Sequence, residues 1–154
     1  MNTESVDTSE RIATMLGDEH GLIDETCRRL EEIADSLPHD VDLELVASVL
    51  PAIRGGITAH CRAEENDLLA TLLRRMPDDL EVKWTAALIR QEHAELEASG
   101  LEVQEALEDL AATGHARDPG ALGYMLRHYF VGLRRHMAWE DRTLLRMASA
   151  LDLA

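Results

Sequence analysis

Two segments of this chain are near copies, and what they share is ligand chemistry. Gly56, His60, Glu64, Glu65, Leu68 and Leu69 recur as Gly132, His136, Glu140, Asp141, Leu144 and Leu145. Both segments read Gly-x3-His-x3-Glu-acid-x2-Leu-Leu. A second match lies between them: Glu19-His20-x2-Ile23-Asp24 is answered by Glu92-His93-x2-Leu96-Glu97. In chain order the pattern is single His, His-x3-Glu, single His, His-x3-Glu. A fold for this chain has to be a doubled unit that brings four histidines and several carboxylates to one place.

The stretches around these residues are helical in period. Breakers are few and evenly placed: Pro38-His39-Asp40, Pro77-Asp78-Asp79 and the run from Thr113 to Gly120. Leu, Ala, Glu and Arg dominate and aromatics are only 3%, which favours helix over strand. The first helix is expected from Ser9 to Leu37, with Thr8 or Ser9 as N-cap. It turns Ile12, Leu16, His20, Ile23, Cys27, Leu30 and Ala34 inward. The second spans Asp42 to Met76 with Val46, Ile53, Ile57, His60, Glu64, Leu68 and Leu72 inside. Pro51 and Gly55-Gly56 predict a kink or break in its first half. The third runs from Asp78 to Ala112 on a stripe of Ala86, Ile89, His93, Leu96, Gly100, Val103, Leu107 and Leu110. The fourth starts near Pro119, a good first-turn residue, and ends near Leu151. Met125, Tyr129, Leu133, His136, Glu140, Leu144 and Met147 face its neighbours.

Short connections make consecutive helices antiparallel, so the expected fold is all-α, an up-down-up-down four-helix bundle. One domain over residues 1–154, with its core at about 9–151, is long enough to bury a real interior. Each of the four stripe histidines stands roughly 16 to 20 residues from a loop, so antiparallel packing brings all four to a similar depth.

A His and a Glu four apart on a helix differ by about 40° around the axis and share a side. His60 with Glu64, and His136 with Glu140, can therefore donate to one site. Glu65 and Asp141 lie about 140° round and are less well aimed; by this reasoning Asp141 contributes little. Imidazole nitrogen with carboxylate oxygen suits iron, manganese or zinc. A lone histidine on an apolar stripe is more often a hydrogen-bonded core residue than a ligand. Four at one level, two with matched Glu, are costly to bury without a cation. Four imidazoles and two carboxylates also exceed one tetrahedral site. Two ions, each with two histidines and sharing Glu64 and Glu140 as bridges, use the whole set.

This arrangement resembles the hemerythrin-like HHE cation-binding family, over nearly the whole chain from about His20 to Asp141. The resemblance implies a hemerythrin-like bundle around a non-haem di-iron centre. Its ligands would be His20, His60, Glu64, His93, His136 and Glu140, with an oxo or hydroxo group between two iron ions. The order of motifs is similar to that of the repair-of-iron-centres proteins. Oxygen-carrying hemerythrins place a second histidine four residues after the third-helix ligand; this chain has Glu97 there. The implied function is handling or sensing of dioxygen, nitric oxide or peroxide, or exchange of iron. A module that stores or delivers iron without turnover, and a metal-free helical interaction protein, are the alternatives. The same ligands serve sensing and catalysis, so no catalytic residue is assigned.

Asp24 and Glu97, four residues after His20 and His93, are favoured as acceptors for the outer N–H of the ligand rings. Glu19 and Glu92 point about 100° from their neighbouring histidines and read as exposed helix charges. Gly56 and Gly132, one turn before the two His-x3-Glu histidines, mark either close packing or space for a small ligand. Cys27 reads as a buried thiol and Cys61 as pointing off the metal face. Net charge is -15, which argues against nucleic acid and anionic membrane as partners and gives the surface a field that attracts cations. No apolar run reaches the roughly 18 residues of a membrane span. Two cysteines without a pairing framework fit a reducing, cytoplasmic setting. A small diatomic or peroxide ligand and an unassigned redox partner complete the expectation.

Overall fold

A computed structural model describes residues 3–151, and the regular structure among them is helical. Four rods follow one another: α1 is Thr3–Ser36, α2 covers residues 43–75, α3 is Leu80–Thr113 and α4 is Pro119–Leu151. Local chemistry sets most of the ends. Asp42 caps α2 by accepting from the N–H groups of Glu44 and Leu45, and Asp79 caps α3 by accepting from Glu81 and Val82. Gly114 stops α3 in a left-handed conformation, φ 76°, which only glycine takes without strain. Pro119 opens α4 where its missing N–H costs nothing.

Two expectations about the helices are corrected. α1 extends ahead of the expected start at Ser9, its described part running from Thr3, and neither Gly nor Pro interrupts the chain between them. α2 does not break at Pro51. Its α-helical pieces Leu43–Pro51, Ile57–Ala63 and Ala70–Arg75 are joined by two wider π-type stretches, Ala52–Gly56 and Glu64–Leu69. Proline lacks an N–H and crowds the preceding turn; the helix answers by widening just after it. The second π-type stretch starts at Glu64, whereas α4 passes its matching Glu140 as ordinary α-helix.

Each helix packs on the next, and α1 closes the ring against α4. The core is divided. One apolar cluster gathers Leu16, Leu69, Leu72, Ile89 and Leu144. The other gathers Leu30, Val46, Val103, Leu107, Leu126 and Leu133. Along α1 and α3 the first cluster precedes the histidine; along α2 and α4 it follows the glutamate. That alternation is the up-down-up-down order. Every predicted inward residue of α1, α2 and α3 is buried. In α4, Met125 is half-buried, and Leu122 and Leu126 fill the interior in its place. Gly100 permits one close approach: a Cβ there would stand 2.8 Å from the Tyr129 hydroxyl, so the ring lies directly against α3. Among the described residues, no helix is long and apolar enough to cross a membrane.

Candidate metal centre

Between the two apolar clusters lies a buried polar layer: His20 from α1, His60 and Glu64 from α2, His93 from α3, His136 and Glu140 from α4. Both carboxylates are 0% exposed. The Nε2 atoms of all four rings point inward. His20 Nε2 is 3.6 Å from Glu64 and 3.4 Å from Glu140, and His93 Nε2 is 3.3 Å from Glu64 and 3.4 Å from Glu140. His60 Nε2 is 3.6 Å from Glu64, and His136 Nε2 is 3.0 Å from Glu140. None of these approaches has hydrogen-bond geometry. The four Nε2 atoms and the four carboxylate oxygens are the eight buried side-chain polar atoms left without a partner among the described residues.

A buried polar group left unsatisfied costs about 1–3 kcal/mol. Eight of them rival the whole stability of a domain, about 5–15 kcal/mol. The spacing says what fits there. Two donors each about 2.1 Å from one cation are about 3.0–3.4 Å apart at octahedral or tetrahedral angles. The observed separations fall around that range. The donors form two overlapping groups, His20–His60–Glu64–Glu140 and Glu64–His93–His136–Glu140, each with its atoms within 4.8 Å of one another. Both groups contain both glutamates. Within each, the two rings meet edge to face, with centroids 5.1 Å and 5.0 Å apart. The six residues predicted as ligands are thus brought together, in two groups that could each hold a metal ion.

The outer edges of the rings overturn part of the expectation. His20 Nδ1 lies 2.8 Å from Asp141, His60 Nδ1 2.6 Å from Glu19, His93 Nδ1 2.8 Å from Glu65, and His136 Nδ1 2.6 Å from Glu92. Each ring donates its Nδ1–H to a carboxylate, which leaves Nε2 as the inward lone pair. These four acids, read as exposed or badly aimed, are the orienting partners. Asp24 and Glu97 are not: Asp24 pairs with Arg134, and Glu97 is exposed on the α2–α3 groove. Angles around a single helix miss these acids, because such angles show only whether an acid points the same way as the histidine of its own helix. A side chain about 100° or 140° round points at the neighbouring helix, where another ring is waiting. Glu19 and Glu92 serve rings within their own hairpin; Glu65 and Asp141 cross to the other one. The signal was present in the repeat itself, since Glu19 matches Glu92 and Glu65 matches Asp141.

Charge follows from this geometry. Six carboxylates surround four rings, two of them inside the layer. With no cation, protons take the position. Burial disfavours a charged His20, but Glu140, Glu64 and Asp141 more than offset it and push its pKa up to about 10. Burial also opposes charge on His93, and Cys61, Glu140 and Glu64 push it up to about 12. His136 is raised in the same way, against burial, by Glu140 and Glu92. Burial alone would raise Glu140; the rings of His136, His20 and His93 hold it well below the usual carboxylate range.

The profile of the hemerythrin HHE cation binding domain matches residues 11–148. A buried layer of imidazole and carboxylate between antiparallel helices defines the class, a helical bundle built to hold cations. The chain belongs to the hemerythrin HHE cation-binding family. No curated protein and no solved structure matches it.

Two outcomes test the layer. A ring whose pKa is raised on folding stabilises the protein fully below the unfolded value, about 6.5, and that contribution is lost as pH climbs through about 10 at His20. Metal-free protein should therefore melt at progressively lower temperature from pH 7 to pH 10, whereas the cation-loaded form, whose rings are already deprotonated, should not. A flat metal-free profile would contradict a proton-filled layer. Asp141→Ala and Glu92→Ala should each weaken zinc affinity by about 10–100-fold in chelator competition, with Asp24→Ala unchanged. Equal affinities in all three would show that the outer carboxylates do not orient the rings.

Proposed function

We infer that this protein holds two iron ions, one on His20 and His60, the other on His93 and His136, bridged by Glu64 and Glu140. It uses the pair to handle or sense dioxygen, nitric oxide or peroxide, or to exchange iron. The observation that carries this reading is the pair of four-donor groups sharing both glutamates. A six-residue nitrogen and oxygen set suits iron, with zinc or manganese as competitors. When bound there, iron would supply redox electrons and Lewis acidity toward a small exogenous ligand.

The chain's own residues do the rest. Glu19, Glu65, Glu92 and Asp141 hold each ring in the tautomer that offers Nε2. The apolar clusters above and below keep bulk water out and strengthen every charge interaction in the layer. Glu64 and Glu140 balance part of the positive charge of two divalent ions. We place the protein in the cytoplasm, with Cys27 and Cys61 as free thiols, a diatomic or peroxide as its ligand and a separate electron-transfer partner.

Iron-loaded protein should carry two iron ions per chain, with a Mössbauer spectrum of a coupled pair. His60→Ala and His136→Ala should each abolish loading; Glu64→Ala should keep one ion and lose the coupling. A coupled pair surviving in Glu64→Ala would remove that residue as a bridge. Consumption of peroxide or nitric oxide above the rate of free iron would assign turnover, and its absence would assign storage, delivery or sensing.

A further inference from the structure

The repeated glycines have different surroundings. A Cβ on Gly56 would meet only Ala52 of its own helix within 4 Å, at 3.9 Å, and Gly56 faces out. A Cβ on Gly132 would meet Leu96 of α3 at 3.8 Å. Gly132 and Leu96 together form part of the wall of a cavity of about 380 Å³ between α3 and α4. His136 and its carboxylate partner Glu92 stand in the same wall, as does the buried ring of Tyr129. The cavity therefore runs from the surface to a ring of the centre.

Its size and chemistry limit what it admits. One water takes about 30 Å³ in the liquid, so the volume is ample for diatomic molecules and peroxide. Arg127 and Arg135 at its wall offset Glu92 and Glu95, and Arg127 also pairs with Asp35, so on a protein of net charge -15 this wall is close to balanced and repels a small anion less than the surrounding surface does. Gly132 has no side chain to fill the gap beside His136, and Leu96 borders that gap from the facing helix.

We propose that this cavity is the port by which small neutral or anionic ligands reach the ion held by His93 and His136, with the gap between Leu96 and Gly132 setting its width. The proposal rests on the two-ion reading above and adds the route and the ion it leads to. A second cavity, about 280 Å³, reaches His93 and Glu65 between α2 and α3, and is the competing route.

The test uses azide as the ligand and iron-loaded full-length chain, with iron content measured beside stopped-flow absorbance. Gly132→Ala places its methyl at ordinary contact distance from Leu96 and so keeps the fold; it should slow azide association several-fold. Gly132→Leu should slow it more than tenfold, and Leu96→Ala should speed it several-fold, all at unchanged iron content. Gly56→Ala should associate at the wild-type rate. Should Gly132→Leu fail to fold, the Gly132→Ala and Leu96→Ala rates decide. Wild-type rates in both would overturn the port and move the route to the α2–α3 cavity. Iron-loaded wild type that binds no azide would also overturn it. A wild-type chain that takes up no iron would instead contradict the centre itself.

Discussion

Two carboxylates with no exposure, and with both oxygens of each unpartnered among the described residues, set the terms for the rest of this molecule. Glu64 and Glu140 sit where a bundle normally keeps leucine. An uncompensated buried charge is among the most expensive things a protein can contain. The helices have to supply compensation from every side, and they do so with four rings whose inner nitrogens face the carboxylates. The outer nitrogens then need partners of their own, and four more acids supply them. Fold, charge and site are one problem: the apolar clusters pack the bundle, and the polar layer between them requires positive charge.

The sequence repeat and the structural symmetry agree only in part. Donor residues, pairings and outer acids follow a two-fold scheme in which each hairpin orients one of its own rings and one of the other's. The backbone departs from it. α2 carries a π-type stretch starting at Glu64, and α4 has none at Glu140. Such wide turns are often found at functional sites. The His136–Glu140 separation of 3.0 Å against 3.6 Å for His60–Glu64 is the corresponding difference at the centre. The two donor groups are therefore similar in ligand type and unequal in shape.

Much of this was legible in the chain. Stripe residues at helical spacing located the helices and the interior, because burial on one side of a helix leaves a periodic trace. His20, His60, His93 and His136 were recognisable because they interrupt apolar stripes at matched depth. What escaped were features that depend on a second helix. Glu19, Glu65, Glu92 and Asp141 act on rings across an interface, and an angle measured around one helix cannot see them. Met125 yielded its interior place to Leu122 and Leu126 for the same reason, since the partner surfaces decide which side of α4 is covered. Pro51 and Gly55-Gly56 marked where α2 departs from regular α-helix, but not that it widens without breaking, because a proline can kink, break or be absorbed, and the surrounding packing makes the choice.

The central claim is that two cations occupy this layer and share Glu64 and Glu140. An anomalous-scattering map at the iron edge, from crystals of iron-loaded protein, tests it directly. The account predicts two peaks between the glutamates, one beside the inner nitrogens of His20 and His60, the other beside those of His93 and His136. A single peak, or density anywhere outside that layer, would contradict it.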